Sequence, residues 1–171
     1  MEQAARIIES GPPIPADDVD ALFRAYADMV YRLAFLRCKS GSDADDVVQE
    51  VFLRCIRFHP TWNDREHQRA WFLTVTINCT KSLLTSAFRR HTVPELPDAV
   101  LTTMEQDTDV YGAVLRLPEK YRTAIHLFYY EGYTVKEMAV IMHAAENTVK
   151  SYLFRARDML RDQLKGEILD V

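Results

Sequence analysis

The residues most suited to chemistry lie in VKEMAVIMHAAENTVKSYLFRAR, from Val135 to Arg157. In this stretch Asn147, Lys150, Ser151, Phe154, Arg155 and Arg157 fall along one side of a helix. Amides, hydroxyls, a ring and cations on one narrow helix suit the base edges and phosphates of the DNA major groove. The plainer reading is an amphipathic hairpin with a solvated basic face. A second group spans a loop and the helix after it: Phe58, Trp62, Asn63, Trp71, Thr74, Asn78 and Lys81. Single-stranded nucleic acid uses such a set, because bases stack on rings while phosphates meet cations. Against it stands core packing, with Trp71 and Phe72 inside and Trp62 as a hydrophobic lid. A third group, Asp45, Asp46, Gln49 and Glu50, clusters at helix-surface spacing with no His partner, which gives hydrolase or metal chemistry little support. Acids early in a helix, followed by Arg54 and Arg57, also suit the helix dipole without any function.

Helices must position all three groups. Val149, Leu153, Ala156 and Leu160 recur at steps of four, three and four, forming the inner stripe of the helix that carries Lys150. Met138, Ala139, Ile141 and Met142 give the helix before it a matching stripe, with Thr134 as its cap. The bend between them carries the small pair Ala144 and Ala145, as in a helix-turn-helix. Earlier, helical patterns run from Val19 to about Cys38, from Asp43 to Phe58 and from about Arg69 to Phe88. Gly41-Ser42-Asp43 is expected to end the first and cap the second. His59 to Gln68 reads as a loop. Pro118 opens a helix that turns Tyr121, Ala124, Ile125, Leu127 and Phe128 inward and ends at Gly132.

The expectation is an all-α chain of two small helical domains joined by an acidic linker. Residues 1–19 form a Pro-rich extension that could dock on the body or stay disordered; 20–92 and 110–171 are the domains, and 93–109 the linker. A length of 171 residues and 48% hydrophobic content suffice for such cores. No segment has the apolar length of a membrane span and the N-terminus lacks a signal pattern, so a cytoplasmic protein is expected. Cys38, Cys55 and Cys79 lie in apolar helical patterns without CxxC spacing and read as reduced core thiols rather than a zinc site with His59 or His91. Neither metal nor cofactor is expected. The net charge of −4 argues superficially against nucleic acid, but the charge is segregated. Residues 1–19 carry −3, 20–92 carry +3, 93–110 carry −5 and 111–171 carry +1, so local faces decide.

These residues carry a resemblance. DADDVVQEVFLRCIRF resembles the second-region helix of sigma-70-family RNA polymerase sigma factors. AWFLTVTINCTKSLL, followed by Arg89-Arg90, resembles the adjoining promoter-melting segment, usually W-L-x-x-I-A-x-N. LPEKYRTAIHLFYYEGYTVKEMAVIMHAAENTVKSYLFRAR is similar to the fourth-region helix-turn-helix, usually LPE-x-x-R…EGxSxxEIA…GTVKSRLxRAR. Two blocks in that order, with only a short linker between, resemble the compact extracytoplasmic-function (ECF) group, over roughly residues 20–165.

The resemblance implies roles for specific residues. Asp45, Asp46, Gln49 and Glu50 would contact the clamp of the largest subunits of core RNA polymerase. Phe58, Trp62, Asn63, Trp71, Thr74, Asn78 and Lys81 would capture flipped bases of the promoter −10 element. Duplex opening costs on the order of 1–2 kcal/mol per base-pair step, which a pocket returning ~1–3 kcal/mol per stacked base can offset. Arg122, Asn147, Lys150, Ser151, Phe154 and Arg155 would face the −35 element, with Arg122 and Arg155 as phosphate clamps and Phe154 against thymine methyls. The linker would run through the polymerase interior, and an anti-sigma protein, membrane-associated or soluble, would be the regulator. No small-molecule substrate, membrane insertion or catalytic site is implied.

The chain departs from the family pattern at three places. His143 stands where the bend usually carries Gly; Ala145-Glu146-Asn147 replaces Pro-Glu-Gly, and Thr76-Ile77 replaces Ile-Ala. The alternatives are a stand-alone helix-turn-helix transcriptional regulator, and a helical interaction protein that binds polymerase without reading promoters.

Overall fold

The computed structural model describes residues 11–89 and 108–169, with side chains over 11–86 and 110–165. Every regular element in these residues is helical, and they fall into two compact units. Residues 90–107, which hold nearly all of the expected linker, and residues 1–10 lie outside the described residues.

The first unit packs α1 (Val19–Cys38), α2 (Gly41–Phe58) and α3 (Arg65–Arg89) around one core. Leu22, Tyr26, Val30 and Leu33 of α1 meet Ala44, Val47 and Val51 of α2, and all are essentially inaccessible. Phe72 of α3 lies 4.7 Å from Tyr26 and 5.3 Å from Phe52 between ring centroids. Burial of each such side chain contributes about 1.5–3 kcal/mol. Cys38, Cys55 and Cys79 are buried and form no disulfide, and burial pushes the Cys55 and Cys79 thiols up.

Two boundaries differ from expectation. The left-handed residue that ends α1 is Lys39 (φ 56°), not Gly41, and Ser40 caps α2 by accepting from the Asp43 N–H at 3.2 Å. A serine cap before Gly41 lets α2 begin two residues early. α3 begins at Arg65, four residues before the expected start. Asp64 Oδ1 accepts from the His67 N–H at 2.7 Å, which makes Asp64 the cap, and the Asn63 N–H just before it donates to His67 Nδ1 at 3.2 Å. The helix therefore starts inside what the sequence presents as a loop.

The proline-rich arm docks, at least from Pro12 onward. The Ile14 N–H donates to Gln68 Oε1 (3.1 Å), Gln68 Nε2 donates to the Ile14 carbonyl (2.8 Å), and the Tyr26 hydroxyl donates to Gln68 Oε1 (3.0 Å). Arg65 Nε also reaches the Pro12 carbonyl at 3.1 Å. Gln68 is fully buried and Ile14 nearly so. Gln68→Ala should therefore destabilise this unit by about 2 kcal/mol, since it strands the buried backbone amide and carbonyl of Ile14. Urea denaturation checks this.

The second unit contains α4 (Thr108–Arg116), α5 (Glu119–Ile125), α6 (Val135–Ile141) and α7 (Glu146–Leu169). α5 runs on into a π turn, His126–Tyr130, where the Glu131 N–H bonds the carbonyl of His126, five residues back. Gly132 (φ 73°) then reverses the chain. Leu127 is fully buried as expected, but Phe128 is only half-buried. Glu131, 2% exposed, is matched by His126 Nε2 at 3.1 Å. Among the described residues, no helix is long and apolar enough to cross a membrane.

Candidate nucleic-acid interface

α6 and α7 form the helix-turn-helix that the sequence suggests. Thr134 caps α6, its hydroxyl accepting from the Glu137 N–H while the Glu137 carboxylate accepts from the Thr134 N–H at 2.8 Å. Met138 and Ile141 are buried. The bend turns on His143 at φ 50°, the position where glycine would be free of strain. His143→Gly should stabilise this unit by about 0.5–1 kcal/mol, the scale of strain relief in the left-handed region less the added chain entropy. A thermal melt followed by circular dichroism measures it.

α7 then buries Val149, Leu153 and Ala156 almost completely. Its opposite face exposes Asn147, Lys150, Ser151, Phe154, Arg155 and Arg157, with Phe154 at 71%. The structure thus brings five of the six residues expected at duplex DNA onto one solvent-facing surface. The Ser151 hydroxyl donates to the Asn147 carbonyl at 2.9 Å, leaving its lone pairs outward. Arg122 is the exception and corrects the expectation. It is 6% exposed, and its Nη1 donates to the Leu117 carbonyl at 2.7 Å, so it braces the α4–α5 joint instead of meeting solvent.

Two tyrosines flank the exposed face. Arg155 Nη1 reaches the Tyr121 hydroxyl oxygen at 3.4 Å, and the guanidinium holds that phenol below its ordinary range. Arg157 Nε donates to the Tyr129 oxygen at 2.7 Å and lies 5.5 Å from the Phe128 and Tyr129 ring centroids.

In the first unit, Trp71, Thr74, Asn78 and Lys81 lie on one face of α3 at steps of three, four and three. Asn78 and Lys81 are exposed, Trp71 and Thr74 half-buried, and the Thr74 hydroxyl donates to the Ala70 carbonyl at 2.8 Å. Asn63 is exposed at the entry to α3, and Phe58 is 68% exposed at the end of α2. Trp62 departs from the expected role. It is only 9% exposed, 5.6 Å from the Trp71 ring and 6.2 Å from Phe72, which makes it the lid of the core rather than an open stacking platform.

On α2, Asp45, Asp46 and Gln49 are exposed, whereas Glu50 is partly shielded and paired with Arg54 Nε at 2.6 Å. That hydrogen bond raises the Arg54 pKa and occupies the carboxylate. Sequence reasoning missed Leu53 and Ile56, exposed at 50% and 42%. Their spacing after Asp46 and Gln49, in steps of three, four and three, was the available signal that apolar residues continue the acidic face. Among the described residues, no three of His, Cys, Asp or Glu gather where they could hold a metal ion.

Comparison with known proteins adds to this geometry. A family model described as sigma-70 region 2 matches residues 22–90, and one described as sigma-70, region 4 matches residues 108–160. The chain is 31% identical over 143 residues to the RNA polymerase sigma factor SigV of Bacillus subtilis (strain 168), covering 81% of this chain and 86% of the relative. It is also 31% identical over 145 residues to the ECF RNA polymerase sigma factor SigM of Mycobacterium tuberculosis (strain ATCC 25618 / H37Rv), covering 82% and 74%. Among solved structures, the sigma factor RpoE in complex with the anti-sigma factor NepR from Bartonella quintana aligns with a TM-score of 0.74 at 22% identity, over 87% of this chain and 98% of that one. CnrH, in complex with the cytosolic domain of CnrY, aligns with a TM-score of 0.61 at 18% identity, over 88% and 92%. These two likenesses show the fold.

Proposed function

Because the chain belongs to the sigma-70 family of RNA polymerase sigma factors, in its ECF group, we propose that its two units divide promoter recognition between them. The protein directs core polymerase to specific promoters and starts DNA-templated transcription, with no catalytic step of its own. α7 enters the major groove of the −35 element through Lys150, Ser151, Phe154 and Arg155, with Asn147 at the entry of the helix. The exposed face of α3, with Trp71, Thr74, Asn78 and Lys81, holds the opened −10 strand, aided by Phe58 and Asn63. Asp45, Asp46 and Gln49 meet the basic clamp of the polymerase, and Leu53 and Ile56 extend that surface. The place of work is the cytoplasm, and an anti-sigma protein is the regulator we assign.

The observation that carries this reading is α7 itself. One side is sealed in the core of its own unit, and the other exposes base-reading and phosphate-reading groups. Run-off transcription with purified core polymerase on a promoter library tests it. Transcripts should depend on the chain and start downstream of two shared sequence blocks. No association with core polymerase would sink the reading. A footprint on duplex DNA by the chain alone should be weak or absent; strong protection without polymerase would identify a stand-alone regulator.

A further inference from the structure

The geometry points to Lys120 as a second phosphate-binding cation beside Arg155, with Tyr121 as the residue that positions both. This rests on the −35 reading of α7 given above. Lys120 is exposed on the first turn of α5, and its Nζ lies 5.1 Å from the Tyr121 ring centroid and 5.5 Å from that of Tyr152. The two rings pack edge to face at 5.8 Å. Tyr121 is 8% exposed, so its ring is a fixed platform, and its hydroxyl oxygen accepts from Arg155 Nη1 at 3.4 Å. One buried tyrosine therefore touches a lysine from α5 and an arginine from α7, bringing both cations to one edge of the DNA-facing helix.

That edge is where a phosphate backbone runs. A helix in the major groove shows its centre to base edges and its flanks to the phosphates, and the neighbouring helix meets the backbone. The cation expected from α5 for this role, Arg122, is turned inward to the Leu117 carbonyl. Lys120, two residues earlier, is exposed and lies against the α7 residue Tyr152. Long cationic side chains lose rotamer freedom on binding, and holding them beforehand, Lys120 over the two rings and Arg155 at the Tyr121 hydroxyl, lowers that loss. Both rings leave the charges exposed, so the cations stay available to a phosphate.

The test uses the full chain with core polymerase and a promoter fragment recovered from the library selection, titrated across salt concentrations. Each phosphate neutralised contributes about 0.9 to the slope of log K against log salt. Lys120→Ala should flatten the slope by about 0.9, and Lys120→Arg should restore it. Tyr121→Phe keeps the ring and removes the oxygen, and should weaken binding about threefold, the scale of an exposed charged contact. In an Arg155→Ala background, Tyr121→Phe should add no further loss. Thermal melts establish that each variant is folded; a merely structural role for Lys120 would move the melt and leave the slope alone. Lys150→Ala serves as the reference. If it weakens binding while Lys120→Ala leaves the slope unchanged, the inference is overturned and the −35 reading stands. If the wild-type complex does not bind the promoter, both fall.

Discussion

Lys150→Glu is expected to cut chain-dependent run-off transcription by about 100-fold, the sum of a lost base or phosphate contact and a new repulsion, each on the order of 1–3 kcal/mol. The same change should leave the fold intact. Lys150 is exposed on the first turns of α7, while Val149 and Leu153 beside it carry the packing. A carboxylate near a helix N-terminus is mildly favoured by the helix dipole, so the thermal midpoint should hold or rise slightly. Function and stability thus move apart, which no packing defect would produce. Transcription on a promoter from the selection and a circular-dichroism melt give the two readouts. Undiminished transcription would remove α7 from promoter reading, and a collapsed melt would show that Lys150 serves the fold instead.

The outer face of α7 was legible because its inner face is. Val149, Leu153 and Ala156 recur at helical spacing, and whatever lies opposite a buried stripe must face out. Arg122 was illegible for the complementary reason. It follows Tyr121 on a short helix that packs on nearly every side, and its partner, the Leu117 carbonyl, is a backbone atom with no letter in the sequence. The clamp of Gln68 on Ile14 joins residues 54 apart through main-chain atoms, so composition could show only that prolines break a helix there. The early start of α3 is hidden because the run from His59 to Gln68 reads as a loop, although the aspartate within it, Asp64, is equally a cap. On α2, the pattern showed which acids face outward. It did not show that Glu50 would spend its charge on Arg54, because an ion pair within a helix and a free acidic face have the same spelling.

Trp62 separates the two roles that aromatic residues play beside α3, and two substitutions should expose the difference. Trp62→Ala is expected to cost about 3–5 kcal/mol, the usual penalty for emptying a buried aromatic site. The ring closes over Phe72 and meets Trp71 edge to face, so its loss opens the core of the first unit to water. Against a typical total of about 5–15 kcal/mol, that change leaves the unit marginal and removes promoter opening as a consequence of unfolding. Trp62→Phe keeps an aromatic lid and deletes an indole N–H that has no hydrogen-bond partner among the described residues. It should therefore cost less than about 1.5 kcal/mol, like other conservative core exchanges. Open-complex formation, followed by permanganate reactivity of unpaired thymines, should then remain near wild type. A stacking platform for flipped bases would behave otherwise: Trp62→Phe would keep its stability in urea and still lose strand opening. That outcome would return Trp62 to the DNA-binding surface, whereas stability and opening that fall together in Trp62→Ala and hold together in Trp62→Phe leave Trp62 as the foundation beneath the exposed Asn78 and Lys81 face.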